Sequence, residues 1–473
     1  MILITIVLLV GLYMAWNIGA NDVANAMGTS VGSKALTLKK AVMIAAVLEF
    51  GGAYLLGARV SETMQQGLVD PMQFAQEPYT FMYGMLAALI ATAAWLQIAS
   101  YFGWPVSTTH AIVGAVLGFG LIIGGPATIH WKVVGSVALS WIISPVLSGI
   151  VAFTIFSFLQ RTVLYSNHPV KMSKRLIPIL VFFVFTTFTI SLTYNGLNHI
   201  GLTLNWKTAV GLAVLAGFIA MLIAMLLIKR SRAKLSQEKL HQEAQLGQVV
   251  SMQKALKHLQ RVRLASVGST KEEIANLIDK TASMTRELRK QSGFYSPSTR
   301  YENVEKLFAY LQIISASFVA FAHGANDVAN AIGPVDAVLE IARTGTLQLQ
   351  KVTPTWLLAL GGFGIVLGLA TWGGRVIETV GRKITHLTPT RGFAAEFGAA
   401  ITILIASKLG LPISTTHCIV GAVLGVGLAR GLTALNLRTL RDIGLSWIIT
   451  LPSSAIVCIL LYYVITFIAS LFN

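Results

Sequence analysis

Two short polar clusters interrupt an otherwise apolar chain and carry the residues best suited to chemistry. They read GANDVANAMG at residues 19–28 and GANDVANAIG at residues 324–333. Asp22 and Asn25 lie three positions apart, so both project from one face of a helix. Their Gly and Asn content is expected to weaken the helix and free backbone carbonyls. Such oxygens suit a small cation, and a carboxylate in a membrane segment is a functional candidate by default. We therefore predict cation binding, with a polar clamp between helices as the alternative.

A second duplicated motif has the opposite chemistry. PVSTTHAIVGAVLGFGL at 105–121 and PISTTHCIVGAVLGVGL at 412–428 agree in 14 of 17 positions. Proline suits the first turn of a helix, so the Ser and Thr residues fall at a helix start, where free N–H groups and the positive end of the helix dipole favour an anion. Ordinary helix capping is the alternative, although capping requires neither three hydroxyls nor a His. His110 and His417 either orient a hydroxyl or shuttle protons.

The elements that must position these motifs lie in a membrane. The chain has 473 residues, of which 55% are hydrophobic and 12% charged, whereas a soluble domain carries about 25% charged residues. Apolar runs of roughly 20 residues span a bilayer as helices. We therefore predict an all-α polytopic membrane protein, with candidate spans at 2–28, 38–58, 79–100, 131–160, 176–194, 207–228, 308–333, 355–374, 392–408 and 440–470.

Charge placement predicts which way the chain is threaded. The net charge is +17, and residues 229–306 alone hold 16 Lys/Arg against 8 Asp/Glu. Basic loops stay in the cytoplasm, so this excess indicates topology rather than a nucleic-acid partner. If 106–124 and 413–428 each cross once, about 12 segments place both termini outside and the central linker in the cytoplasm. The alternative is that these two stretches are re-entrant and do not cross.

The motifs recur in the same order, which indicates an internal duplication. The offsets between copies are 305 for the Asn-Asp cluster, 307 for the Ser-Thr-Thr-His motif and 306 for LSWII at 139–143 and 445–449. An odd number of crossings separates the copies, so the second is inverted in the membrane, as in many secondary transporters. We predict a first repeat at 1–160, scaffold helices at 161–228, a basic and partly helical linker at 229–306 and a second repeat at 307–473.

Two further carboxylates lie in apolar spans. Glu49 and Glu396 are 347 positions apart, so they are not copies of one another. Each is a candidate cation or proton site, a partner for a buried polar group, or a helix-packing contact, and the sequence does not decide among these.

The duplicated GANDVANA and P[VI]STTH motifs, split by a long basic loop, resemble the inorganic phosphate transporter (PiT) family. The resemblance covers both halves of the chain and implies symport of inorganic phosphate with a cation through two inverted repeats with hairpin-like elements. It implies phosphate ligands at Ser107, Thr108, Thr109, Ser414, Thr415 and Thr416. It implies cation ligands at Asn21, Asp22, Asn25, Asn326, Asp327 and Asn330. Glu49 and Glu396 match acidic positions of the family, with His110 and His417 behind the phosphate ligands. Gly84 departs from the family, whose members often carry Glu there.

We therefore predict a phosphate symporter of the plasma membrane that works by alternating access. Sodium is favoured over the proton because the clusters offer several oxygen ligands that a proton does not need. Other options are proton coupling, another tetrahedral oxyanion such as sulfate, and a channel. A membrane enzyme is disfavoured, because no nucleophile and base accompany a water-activating metal site. The expected partners are phosphate, the transported cation and the lipid bilayer, with a homodimer left open and no resident cofactor.

Overall fold

Helices form nearly all of the chain that the computed structural model describes. The described residues are 2–193, 204–232, 251–291 except 253, 257, 265 and 267, 297–347, 353–377 except 375, 387–431 and 437–471. Apolar sequences favour helices in lipid because a helix satisfies its own backbone hydrogen bonds. In the first half of the chain they are α1 (Ile2–Gly32), α2 (Leu38–Leu56), α3 (Ala58–Glu62), α4 (Pro78–Phe102), α5 (Thr108–Phe119), α6 (Trp131–Leu159), α7 (Pro169–Thr193) and α8 (Trp206–Arg232).

The linker and the second half are also helical where they are described. The linker contributes α9 (the described residues of 251–264) and α10 (Ser269–Gln291). Outside the described part lie residues 233–250, 253, 257, 265, 267 and 292–296 of the predicted linker. The second half contains α11 (Pro297–Thr344), α12 (Thr355–Thr371), α13 (Pro389–Lys408), α14 (Thr415–Arg430) and α15 (Leu437–Ser470). Within the described residues, seven helices are long and apolar enough to cross a membrane. The predicted all-α, polytopic fold is therefore confirmed.

Both Asn-Asp clusters lie inside uninterrupted helices. The first cluster lies in α1 and the second in α11, and each of these helices continues well beyond it. The expectation that Gly and Asn break the helix there is wrong, because tertiary packing overrides their weak helix propensity. Helix carbonyls at the clusters are therefore engaged in helical bonds, except that of Asn330, because the residue four positions on is Pro334, which has no backbone N–H.

The first Ser-Thr-Thr-His motif lies at the tip of a hairpin made of α4 and α5. Residues 104–107 form the non-helical turn, and the left-handed Gly103 (φ 67°) ends α4. Phe119, at the far end of α5, packs against Phe81 near the start of α4 at 6.3 Å between ring centroids. α5 therefore runs back along α4 to the end where α4 begins.

The second motif repeats this arrangement with α13 and α14. Gly398 of α13 and Gly425 of α14 both pack against the stretch of α6 around Gly149 and Ala152, so α14 also folds back along its partner. Two full crossings and a re-entrant hairpin both place such helices side by side, so the choice between the two paths stays a prediction. If both helices of each hairpin turn back within the membrane, each hairpin removes two crossings, an even number, and the expected sides of the termini and the linker do not change.

Glycines bring the long helices of the two repeats into backbone contact. A Cβ at Gly19 of α1 would overlap backbone atoms of α12, and one at Gly324 of α11 would overlap backbone atoms of α2. Small residues allow such close approach where lipid provides no hydrophobic drive between helices. These two equivalent crossings identify α12 as the copy of α2.

The chain divides into two compact units. The first comprises Met1–Ser157, Val184–Ala216 and Ala309–Asn473, and it contains both hairpins and both Asn-Asp clusters. The second comprises Phe158–Phe183 and Gly217–Phe308. The four-part division made from the sequence stays a prediction.

Candidate cation and anion site

Each Asn-Asp cluster is fastened to the turn of its own hairpin. The Asn21 amide nitrogen donates to the Ser100 hydroxyl at 3.0 Å and to the Trp104 carbonyl at 3.1 Å. In the second hairpin the Asn326 amide nitrogen likewise donates to the Ser407 hydroxyl at 3.1 Å and to the Leu411 carbonyl at 3.2 Å. The first Asn of each cluster therefore positions the hairpin tip, while its amide oxygen points elsewhere.

The second residue of each cluster accepts a hydroxyl from the hairpin helix. The Thr108 hydroxyl donates to the Asp22 carboxylate, and the Thr415 hydroxyl donates to Asp327 Oδ2 at 2.8 Å. Asn25 also donates to Asp22 Oδ1 at 3.1 Å. In this arrangement the middle hydroxyl of each motif faces a cation candidate, so it connects the predicted anion ligands to the predicted cation ligands.

The last hydroxyl of each motif links one repeat to the other. Asn25 donates to the Thr416 hydroxyl at 2.8 Å, and Asn330 donates to the Thr109 hydroxyl at 3.2 Å. Thr109 in turn donates to the Ile413 carbonyl at 2.9 Å, and Thr416 donates to the Val106 carbonyl at 3.1 Å. Each acceptor directly precedes the serine of the opposite hairpin. The two inverted repeats therefore interlock at the hairpin tips.

The first hydroxyl of each motif caps its helix. Ser107 accepts the backbone N–H of His110 at 3.2 Å, and Ser414 accepts that of His417 at 3.1 Å. An N-cap oxygen used in this way still leaves the hydroxyl hydrogen free to donate. The capping alternative is thus part of the structure, and it is compatible with donation to an anion at the same helix start.

The two repeats bring their aspartates together in the interior. Asp22, Asp327 and His323 each place one side-chain ligand atom within 4.8 Å of the other two, and all three residues are buried. Two carboxylates this close repel one another, and in a medium of low dielectric constant the repulsion is strong. A cation between them removes that repulsion.

Several buried oxygens of the clusters accept no hydrogen bond within the described chain. They are Asn21 Oδ1, Asn326 Oδ1, Asp327 Oδ1 and Asn330 Oδ1. A buried acceptor without a donor is costly, and in native proteins such groups are few. Because all four belong to the predicted cation ligands, they are the oxygens from which a small hard cation would take its coordination.

His323 is a site residue that the sequence analysis missed. Its Nε2 lies 3.0 Å from Asp327 Oδ2 and its Nδ1 lies 3.3 Å from Glu49 Oε1, with the side chains of all three residues 0–1% exposed. Glu49 therefore joins the second cluster through His323. The signal in the sequence is FAHGANDVANA, in which His323 precedes Asp327 by one helical turn.

The pair formed by His323 and Glu49 has no counterpart at the first Asn-Asp cluster. At the cluster offset of 305 the position equivalent to His323 is Ile18. Gly19 approaches the backbone of Ile365 as Gly324 approaches that of Glu49, so Ile365 stands in the place of Glu49. The pseudo-symmetry therefore covers the Asn-Asp clusters and the hairpin tips, but only Asp327 has a histidine one helical turn before it, at 3.0 Å.

Glu396 belongs to a different polar network. It lies on α13 and is fully buried, as the sequence indicated. Its hydrogen-bond donors are the side chains of Thr29, Ser30, Gln312 and Ser315, two from α1 and two from α11. None of these four was singled out from the sequence. In the described chain Glu396 therefore joins the two cluster-bearing helices, rather than either aspartate.

His110 and His417 lie behind the hairpin tips. Their ring centroids are 4.4 Å apart, and they pack against Trp141 at 3.9 Å and Trp447 at 3.5 Å, respectively. Each Nδ1 faces the backbone carbonyl of the other tryptophan, at 3.5 and 3.4 Å. Nε2 of each ring is buried and has no hydrogen-bond partner within the described chain, so the predicted roles, orienting a hydroxyl or shuttling protons, stay predictions.

The similarity of the chain to known proteins agrees with this geometry. Residues 18–458 match the phosphate transporter family. The chain belongs to the phosphate transporter family. It is 46% identical over 461 residues to a protein of Chlamydia pneumoniae provisionally named as a phosphate permease, covering 98% of both chains. It is 42% identical over 465 residues to the chloroplastic inorganic phosphate transporter 2-1 of Arabidopsis thaliana, covering 98% of this chain and 72% of that protein.

A solved structure is also similar to this phosphate transporter family member. The sodium-dependent phosphate transporter aligns with a TM-score of 0.80 and 35% identity, covering 99% of this chain and 100% of the other. Membership excludes the enzyme alternative and establishes a multi-pass membrane transporter. Gly84, the departure from the family pattern, lies against Phe119, and a Cβ there would overlap its ring. The space of a side chain at this position is filled by the aromatic ring.

Proposed function

We propose that this transporter carries inorganic phosphate across the membrane together with cations, sodium foremost, bound between the two Asn-Asp clusters. The observation that carries the proposal is the pairing of Asp22 with Asp327 beside two helix N-termini. An anion and its cations would then lie next to each other, so neither enters the membrane interior with its charge unbalanced.

The anion would bind at the starts of α5 and α14. The first backbone N–H groups of a helix have no intrahelical partner and carry partial positive charge. Ser107, Thr108 and Thr109, with their copies in the second repeat, present such groups within a site where these side chains are 1–2% exposed. Because no Arg or Lys belongs to either motif, recognition would depend on hydrogen-bond donors, which fits a small oxyanion that must be released again.

The cations would bind to the carboxylates and to the amide oxygens that accept no hydrogen bond. Sodium fits this donor set, since hard oxygen ligands suit a small hard cation. The description of the similar solved structure as sodium-dependent supports the same choice. Thr108 and Thr415, which donate to the two aspartates, would transmit cation binding directly to the anion site.

Proton coupling is the second candidate, and one observation favours it. His323 lies between Glu49 and Asp327, so this cluster can hold a proton where the other repeat has two isoleucines. Sulfate, as another tetrahedral oxyanion, presents similar acceptors to the same donors. The inverted orientation of the two repeats around a central site also supports a symporter that works by alternating access.

Purified protein in liposomes tests the proposal. We expect uptake of radiolabelled phosphate when an inward sodium gradient is imposed, and little uptake with a proton gradient alone. Equal uptake on a proton gradient without sodium would assign the coupling to protons, and preferential uptake of radiolabelled sulfate would assign another substrate. Uptake that equilibrates phosphate but never concentrates it under either gradient would indicate a channel.

The sidedness of the chain needs its own test. We expect both termini outside and the linker in the cytoplasm of cells in which the protein resides in the plasma membrane. Single cysteines near residues 70 and 265 would then react with a membrane-impermeant maleimide from opposite sides. Reaction of both from the same side would contradict the proposed threading.

A further inference from the structure

The linker helix α9 has a basic face. Lys254, His258 and Arg261 follow one another at helical spacing, and all three are exposed. We call these three residues the basic face of α9. The opposite side carries Met252 and Leu259, which are partly buried, together with the exposed Arg263. No Asp or Glu occurs from residue 244 to residue 271, so the charge of this helix is not balanced along its own chain.

The basic face is held at the level of a membrane boundary. The Lys254 ammonium group donates to Asn167 Oδ1 at 3.2 Å and lies 3.5 Å from the carbonyl oxygen of Tyr165. These two residues belong to the short loop between the membrane-crossing helices Trp131–Leu164 and Pro169–Thr193. A loop between two consecutive spans must lie at the bilayer surface, so α9 is in contact with that surface region.

The loop and its flanking helix turns are themselves basic. Residues 160–182 contain Arg161, Lys171, Lys174 and Arg175 and no acidic residue. The nearby start of α11, where the Tyr301 hydroxyl donates to the Leu164 carbonyl at 3.3 Å, brings Glu302, which pairs with Lys306 at 2.8 Å, and Glu305. The basic loop and α9, in contact through Lys254, together carry more positive than negative charge even with these two carboxylates. Like charges in neighbouring segments repel unless anions lie among them.

We propose that the basic face of α9, together with the basic loop at 161–175, binds the headgroups of anionic phospholipids and so holds the linker against the bilayer. Clusters of several Lys and Arg residues directly beside a membrane span are suited to anionic lipid surfaces. The bilayer places such headgroups at the level of this loop. Leu264 and Val262, which flank the basic face, are 88% and 50% exposed, and they are placed to enter the apolar part of the headgroup region.

A fluorescent reporter on the full-length protein tests the proposal. Cys418 and Cys458 are buried, so a Leu264→Cys substitution provides a single accessible thiol for an environment-sensitive dye. The labelled protein is reconstituted in nanodiscs of phosphatidylcholine alone, or of phosphatidylcholine with phosphatidylglycerol. We expect a blue-shifted emission only with phosphatidylglycerol, and a loss of this shift at high salt because salt screens charge.

A pair of matched variants separates this face from net charge in general. Lys254→Gln with Arg261→Gln should lower the apparent affinity of the linker for phosphatidylglycerol roughly 25-fold. Each basic residue near an anionic surface contributes about fivefold to binding. Lys271→Gln with Lys280→Gln removes the same charge from α10, where Glu272, Glu273 and Asp279 lie nearby in the sequence. This control should keep the full response.

The outcomes are distinct. A blue shift of equal size in phosphatidylcholine alone, or an equal loss in the α10 control, would overturn the proposal. Inorganic phosphate added to phosphatidylcholine nanodiscs should leave the emission unchanged, and a shift with free phosphate would assign the site to the soluble ion instead. The readout does not involve transport, so it stands or falls independently of the proposed function.

Discussion

Removing one of the paired carboxylates should uncouple phosphate uptake from sodium. Asp22→Asn and Asp327→Asn each keep the shape of the side chain, and an Asn oxygen can still accept the Thr108 or Thr415 hydroxyl. Each substitution removes one of two negative charges whose nearest ligand atoms lie within 4.8 Å. The perturbation therefore acts on charge far more than on packing.

The size of the effect follows from that distance. At 4.8 Å and an effective dielectric constant of about 20, the repulsion between two unit charges is about 3.5 kcal/mol. A sodium ion between the carboxylates is attracted to each of them over a distance shorter than this, so removal of one charge lowers its binding free energy by at least about this amount. Since about 1.4 kcal/mol corresponds to a factor of ten, the sodium concentration for half-maximal uptake should rise roughly 300-fold.

The assay is phosphate uptake into liposomes at a series of sodium concentrations, with ionic strength held constant by choline. Asp70→Asn is the matched control, because Asp70 caps a short 3₁₀ helix outside the site and Asn caps equally well. The control should show unchanged sodium dependence. If both site variants keep the half-saturation of the natural protein, the paired aspartates do not hold sodium and the clusters are structural clamps.

Five further substitutions, in three experiments, test other parts of the site. Ser107→Ala or Ser414→Ala should raise the phosphate concentration for half-maximal uptake roughly 10- to 100-fold, since a hydrogen bond to a charged group contributes about 1.5–3 kcal/mol. His323→Ile should lower the melting temperature in detergent by leaving two buried carboxylates without their partner, and adding Glu49→Ile should restore much of it, because the pair then matches the apolar pair of the other repeat. Gly324→Val should abolish a monodisperse size-exclusion peak, because a side chain there overlaps the backbone of α2.

Each of these predictions has a control and an opposing result. Ser136→Ala removes an exposed hydroxyl far from the hairpin tips in the sequence and should leave uptake unchanged, whereas unchanged phosphate affinity in both cap variants would reduce the motif to helix capping. A double variant no more stable than His323→Ile would contradict the assigned pairing. Gly211→Val, at a position with no atom within 4 Å of an added Cβ, should fold normally, and normal folding of Gly324→Val would refute the close helix crossing.

The asymmetry of the two repeats has a functional consequence under the proposed function. Both aspartates accept a hydrogen bond from a hairpin threonine, but only Asp327 lies 3.0 Å from the His323 imidazole, which also contacts Glu49. Two cation positions with different partners would differ in affinity and in their sensitivity to protons. Binding of the two cations would then occur in a defined order.

The sequence by itself determined the class of the protein and most of the candidate site. Composition and apolar runs require membrane helices, because only a helix satisfies its own backbone in lipid along so many segments. The duplicated motifs identified the repeat, its inversion and the residues that the structure gathers at the hairpin tips. These inferences depend on residue type and spacing, which are local properties of the chain.

Only the tertiary structure showed which of these residues contact one another. A sequence does not record that Phe119 lies beside Phe81, the contact that closes the hairpin of α4 and α5. The same holds for His323, whose importance follows from Glu49, a residue on another helix and far away in the chain. Glu396 likewise gains its donors from two separate helices. Contacts between elements that are distant along the chain leave no periodic pattern in the amino-acid sequence. For that physical reason the pairing of Asp22 with Asp327 became visible only in the folded protein.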